Sequence, residues 1–281
     1  MRAVGRLENT WRLTKSSWAV LRQDKELMIL PLLSLLATVI VAAAFIYPVI
    51  LVDADLSGNG TGDIDPGPMG YVLLLVGYLV ITFIAQFFIA ALVSGAHQRL
   101  TGGDPTVSSS LRGAGRRFHR LLPWALVTGT VGLILSAIED RGVIGSIVAN
   151  LLSFAWRIIT FLVVPVLVIE DIGAIDAIKR SSSLFKKTWG ENLAAQFGFG
   201  LIGFIAMLPV LLVAGLLAAT GNGVLLVTGV AIGVAGILAV TAAVGALGAI
   251  FQTALYLYAA EATQPPEFDA TDLSGAYTIK G

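Results

Sequence analysis

The sequence predicts an all-α, polytopic membrane protein with six transmembrane helices, on three observations. Six apolar stretches lie at 27–52, 70–96, 121–138, 143–169, 193–219 and 224–260, and a bilayer core of about 30 Å needs about 20 apolar residues per helix. Only 13% of the residues are charged and 56% are hydrophobic, against about 25% charged in an average soluble domain; the mean hydropathy is +0.86. Three times a short basic segment, at 2–25, 112–120 and 179–187, leads into a pair of these stretches.

The chain reads as one integral membrane domain, 1–281, whose elements follow in order. Residues 1–26 form a predicted interfacial helix. Val4, Leu7, Trp11, Trp18 and Leu21 fall on one face, flanked by Arg6, Arg12, Lys15 and Arg22. An apolar stripe with aromatic residues and a basic flank is suited to lying flat among lipid headgroups. The first stretch begins only after 26 residues and runs for about 26 more. The apolar part of a signal peptide is shorter, at about 7–15 residues, so this is a permanent span. Residues 27–96 then form a first hairpin around a loop at 53–69, polar and rich in Gly and Pro.

The unit 105–169 is an interfacial helix and a second hairpin. Asp104-Pro105 reads as an N-cap with proline at the first helical position. Val107, Leu111 and Phe118 form its stripe, and 139–142 (EDRG) is a tight turn. The unit 174–260 repeats the plan. Its stripe is Ile175, Ile178, Phe185 and Trp189, and Lys186 and Lys187 sit near a helix C-terminus, where cations suit the dipole. Residues 220–223 (TGNG) form the turn. The last stretch would reach about 55 Å as a single helix. One long helix is expected, the alternative being a break near Gly245 and Gly248. Residues 261–281 are a tail.

Orientation follows from charge, because Lys and Arg in short loops mark the cytoplasmic side. Sixteen of the eighteen basic residues fall on one side, whereas the opposite loops hold Arg141 against Asp53, Asp55, Asp63, Asp65, Glu139 and Asp140. Both termini are therefore expected in the cytoplasm. The recurring plan of one interfacial helix and two spans suggests a threefold internal repeat. Serines at 16–17, 108–110 and 181–183 recur in register with it. The basic segments either fix topology alone or also bind anionic lipid, at about 1 kcal/mol per basic residue near such a surface.

Inside the spans Arg157 stands out, about midway along the fourth. Such a charge usually faces a bundle interior or a wet cavity. It is either an anion or lipid-phosphate site or a snorkelling or paired arginine, with Gln86, Asn150, Gln252 and Tyr256 as polar partners. Gly229 and Gly233 form a pair that lets helices approach closely. Gly198, Gly200 and Gly203 spell GxGxxG inside an apolar span, without the strand–turn–helix setting of a nucleotide site. There is no cysteine, and His97 and His119 are the only histidines, so no metal centre or cofactor is expected. No GxSxG, HExxH or Walker motif occurs, and the expectation is a non-enzyme.

The run TFLVVPVLVIE at 160–170 leads into AIKRS at 177–181 and LFKKTWGEN at 184–192. Together these resemble a family of uncharacterised prokaryotic membrane proteins, domain of unknown function 6159. SW at 17–18, DKEL at 24–27, PL at 31–32, ALYLYA at 254–259 and PEFD at 266–269 extend the resemblance over nearly the whole chain. The layout is more loosely similar to the membrane domain of some glycerophosphodiester phosphodiesterases. The resemblance implies a multi-span protein of the prokaryotic plasma membrane and no particular activity. Arg157 is not part of the family pattern.

The motif also has a physical reading. Pro165 removes a helical hydrogen bond and is expected to kink the fourth span. Glu170 and Asp171 are placed to pair with Lys179, Arg180 or a basic residue of another repeat. Trp189 suits the interface, and Glu191 and Asn192 are candidate caps for the fifth span, Asn192 being the better type. With Lys186, Lys187 and Arg157 these residues form a candidate girdle, either structural or for anionic headgroups. Two functions fit: organising anionic lipids or partner proteins (another copy of the chain included) at the cytoplasmic leaflet, or transport of a small anionic or amphiphilic solute past Arg157. No nucleic-acid partner is expected.

Overall fold

Each helix starts and stops where its local chemistry dictates. In a computed structural model, which describes residues 2–56, 66–189, 198–220, 222–266, 268 and 273, the elements are α1 (Arg2–Gln23), a 3-10 turn (Lys25–Met28), α2 (Ile29–Leu56), α3 (Gly67–Leu100), α4 (Val107–Arg116), α5 (Phe118–Glu139), α6 (Gly142–Ile159), α7 (Val163–Ile169), α8 (Ala174–Trp189), α9 (Gly198–Ala218) and α10 (Gly223–Glu261). No strand occurs among the described residues. The α5–α6 turn closes through Gly142, whose φ of +83° is open to glycine and costly to other residues. At the α9–α10 turn Asn222 Oδ1 accepts from the amides of Val224 (2.9 Å) and Leu225 (3.3 Å), an N-cap that satisfies two orphan donors.

Five segments among the described residues are long and apolar enough to cross a membrane: Lys25–Leu51, Gly67–Leu100, Phe118–Glu139, Gly142–Ile169 and Gly223–Glu261. They match five of the six expected stretches, and the chain has the make-up of a multi-pass membrane protein. The stretch expected at 193–219 begins among residues outside those described. Its described part is α9, of which Phe204–Ala218 is a shorter apolar helix. α10 runs unbroken through Gly245 and Gly248 for 39 residues, or about 58 Å.

The buried core is confined to one end of the bundle. Leu21, Leu27 and Leu30, the Ala90–Ala91–Leu92–Val93 run of α3, Leu121, most of α7, and Ile250 to Leu257 of α10 are buried there, with Phe268 and Leu273. Away from that end the helices expose Leu, Ile and Val over most of α2, α5, α6, α9 and the first half of α10. A soluble monomer rarely exposes so much contiguous apolar surface; lipid is its natural solvent. The core end is also the end that carries α1, α4 and α8, and hence the basic residues.

The small-residue pair on α10 is a packing device. A Cβ added at Gly229 would lie 2.9 Å from the Ala214 carbonyl and from Leu217 Cβ, and one at Gly233 would lie 3.1 Å from Ala214 Cβ. α9 can therefore lie directly on the α10 backbone.

Three expectations need correction. α4 begins at Val107, and its cap is Thr106, which exchanges hydrogen bonds with Ser109 in a capping box (Ser109 N to Thr106 Oγ1 3.0 Å, Thr106 N to Ser109 Oγ 2.9 Å). Asp104, the expected cap, instead faces Arg99 at 3.5 Å. Phe118 belongs to α5, after a turn at Arg117, and packs edge-on against Phe83 with centroids 5.0 Å apart. The buried face of α1 is Leu13, Thr14, Ser17, Val20 and Leu21, with Asp24 just beyond; of the expected stripe Leu21 is buried, Trp11 and Trp18 are not, and the side chains of Val4 and Leu7 lie outside those described. At 3.6 residues per turn, Trp11 and Trp18 fall beside that face, and both are exposed.

Candidate functional site at the basic end of the bundle

The site is organised by the break in the fourth span. Pro165 has no N–H, so it cannot donate to the carbonyl of Phe161, four residues earlier. Gln252 Nε2 of α10 donates to that carbonyl. The helix opens at 160–162, and two further groups are served from α8. Ser181 Oγ accepts from the Leu162 amide (3.1 Å) and donates to the Ile159 carbonyl (2.7 Å). Ser181 is fully buried. The kink expected at Pro165 is therefore a break just before it, and α7 restarts with proline in its first turn, where a missing N–H costs little.

α7 then presents two carboxylates. Glu170 accepts from Arg180 Nε (3.0 and 3.2 Å to its two oxygens) and from the Tyr256 hydroxyl of α10 (3.0 Å). Asp171 has a φ of +54°, a left-handed conformation that Asp tolerates better than most residues. Its carboxylate meets Arg117 (2.6 Å), Arg120 (3.3 Å) and, more distantly, His119 (3.9 Å). Arg117 Nε also donates to the Val168 carbonyl (3.0 Å). Neighbouring carboxylates thus tie α7 to α8 and α10 on one side and to the α4–α5 corner on the other. The Glu170–Arg180 pair crosses units as expected, whereas Asp171 takes arginines of its own unit instead of Lys179, Arg180 or another repeat.

A second clasp lies across α1 and α3. Arg99 forms a two-pronged pair with Asp24, whose side chain is only 4% exposed. Glu26 Oε2 accepts from the Val107 amide (3.1 Å), supplying a partner to the first helical N–H of α4. Nothing in the sequence links Asp24 with Arg99, 75 positions away. Only an acidic residue at the mouth of an apolar span hints that a buried partner exists.

The remaining candidates separate into groups. Lys179 pairs within its own helix with Asp176 (3.6 Å). Lys186 and Lys187 are exposed, with no carboxylate partner among the described residues. α8 ends at Trp189, while Glu191 and Asn192 lie outside the described residues. Arg157 sits in the last turn of α6 and is exposed rather than turned into the bundle. The polar groups considered as its partners serve elsewhere: Gln86 accepts from Trp124 Nε1 (2.8 Å), Asn150 donates to the Ser146 carbonyl (2.9 Å), and Gln252 and Tyr256 serve the break and Glu170.

Each of the three basic helices buries one serine completely: Ser17 on α1, Ser110 on α4 and Ser181 on α8. Ser17 donates to the Leu13 carbonyl (3.0 Å), and Ser181 closes the break. Ser110 Oγ has no hydrogen-bond partner among the described residues and lies against Gly95, where a Cβ would come within 2.5 Å of it.

No curated protein and no solved structure matches the chain. One family model does, over residues 68–265, described as a family of unknown function. The match takes in the span break, α8 and the Tyr256 region. With well over half its length matched, the chain belongs to this family of unknown function, DUF6159.

Proposed function

We propose that this protein is a non-enzymatic membrane protein of the prokaryotic plasma membrane that organises anionic lipids at the cytoplasmic leaflet. In this reading it has six spans, with α9 as the fifth. Both termini are cytoplasmic, and α1, α4 and α8 lie at the interface as the first elements of three repeated units. One completely buried serine on each of those helices supports the repeat.

One observation carries the reading. The carboxylates of the basic end are engaged internally or lie at its margin, while Arg22, Lys25, Arg112, Arg116, Lys186 and Lys187 are exposed without a carboxylate partner among the described residues. At about 1 kcal/mol per basic residue near an anionic surface, this surplus suffices to enrich anionic headgroups. Trp11 and Trp18, exposed beside the buried face of α1, suit the same depth. The exposed position of Arg157 fits headgroup contact better than a path inside the bundle.

The test is the lipid composition of polymer-excised native discs containing the chain. Anionic lipid should be enriched over the bulk membrane, and the enrichment should fall when Arg112, Lys186 and Lys187 are all changed to Gln. A wild-type disc with the bulk composition would sink the proposal.

A further inference from the structure

A cavity of about 390 Å³ opens at the basic end between α3, α4 and α7, lined by Ser94, His97, Gln98, Gly113, Arg116 and Arg117 over a floor of Val168 and Ile169. Its size falls in the range of small-ligand pockets, about 300–1,000 Å³. Its shape follows from close helix approach. A side chain at Gly113 would overlap Ser94 Oγ, so α4 can lie against α3 only through a glycine there. Ser94 is held in turn by Gln98 Nε2, which donates to its carbonyl (3.3 Å) and its hydroxyl (3.4 Å).

The electrostatics of the cavity are one-sided. Arg117 is positioned by Asp171 and the Val168 carbonyl through Nη1 and Nε, which leaves Nη2 unengaged among the described residues. Asp171 is shared with Arg120, so one carboxylate offsets two guanidinium groups. Arg116 has no carboxylate partner, and His97 makes no side-chain hydrogen bond, among the described residues. Among the described residues the carboxylate that acts on His97 is Glu261, exposed at the end of α10. Asp104 is turned to Arg99. Two arginines, one held rigid and one free, beside an imidazole are suited to a tetrahedral oxyanion, for which the planar arginine fork provides paired donors.

We infer that this cavity binds a phosphate group, either the headgroup phosphate of an anionic lipid or a free phosphate. The inference deepens the lipid-organising reading by giving it a discrete site, and it rests on that reading only for the lipid source. A solvated basic notch would attract anions diffusely. A built site would bind one per chain and depend on Arg116 far more than on equally exposed lysines elsewhere.

The experiment uses the full chain in discs of phosphatidylcholine, titrated calorimetrically with inorganic phosphate and, separately, with dioctanoyl phosphatidic acid. At least one probe should bind saturably, one per chain. Its affinity should fall about tenfold or more in Arg116→Gln, as expected for loss of a charge-assisted contact. It should fall similarly in His97→Gln, recover in part in Arg116→Lys, and hold in the double variant Lys186→Gln, Lys187→Gln. Saturation by the lipid alone assigns the headgroup as the source, and saturation by phosphate assigns a soluble ligand. Arg116 is exposed, so its variants should fold, and unchanged melting temperatures would verify this. No saturable binding of either probe overturns the inference. So does an equal loss in the Arg116 and the Lys186/Lys187 variants, although diffuse lipid enrichment, measured separately in native discs, would then still stand.

Discussion

Gln252 of α10 donates its amide to the carbonyl of Phe161, the oxygen to which Pro165 cannot donate. The proline and the glutamine are therefore two halves of one device, although 87 positions separate them in sequence. The glutamine supplies the donor that the helix break withholds from a part-buried carbonyl. Replacing Gln252 with Leu should cost about 1–3 kcal/mol, the usual penalty for stranding such a group. Pro165→Ala restores an N–H that can reach Phe161, so it should recover part of that loss in the double variant. Melting temperatures of the four proteins in mild detergent give the coupling directly. Strict additivity of the two changes would mean that the pair is not linked.

Ser110 and Ser181 are equally buried but differently partnered. Ser181→Ala should destabilise by about 1–3 kcal/mol, because it strands the Leu162 amide and the Ile159 carbonyl. Ser110→Ala removes a hydroxyl that has no partner and should be neutral, or stabilising by up to about 1 kcal/mol. Thermal unfolding of the two single variants side by side decides this. Equal losses would show that Ser110 has a partner that the geometry does not reveal.

Five of the six spans were legible because length and hydropathy act locally along the chain. α8 was legible to the residue, and Glu170 and Asp171 were identifiable as carboxylates that end a span. What sequence could not supply is which partner each takes. Arg180 is ten positions from Glu170, but Tyr256 is 86 away, and only packing brings it there. The α1 stripe misled for a related reason. Periodicity finds an apolar face, but burial went to the neighbouring face, whose Ser17 and Asp24 are polar and fully used. At α4 the strong Asp104-Pro105 signal lost to a two-sided cap at Thr106, which satisfies two amides instead of one.

Two ion-pair sites of the basic end, Asp24–Arg99 and Asp171–Arg117, should respond unequally to loss of one partner. Arg99→Gln leaves Asp24 buried and unpaired, and an uncompensated buried charge costs about 3–5 kcal/mol. Asp171→Asn removes one charge from groups that are 27–40% exposed, where solvent screens the pair to about 0–1 kcal/mol. Asn also accepts the left-handed backbone at that position. Expression yield and melting temperature should therefore collapse for Arg99→Gln and barely move for Asp171→Asn. The opposite order would place the main clasp at α7.

Six crossings make a sharper prediction than the span count alone. α9 and α10 pack directly on each other through Gly229, Gly233 and Gly236, and Tyr256 near the end of α10 reaches Glu170 at the basic end. If α10 crosses the membrane, α9 must cross in the opposite sense. Lys187 and Thr263 then lie on one side and Arg141 on the other. The chain has no native cysteine, so Arg141→Cys, Lys187→Cys and Thr263→Cys can each be read with a membrane-impermeant thiol reagent. Intact cells should label only position 141, and positions 187 and 263 should label after permeabilisation. Labelling of 263 in intact cells, with 187 still protected, would mean that the final hairpin does not return to the cytoplasmic side.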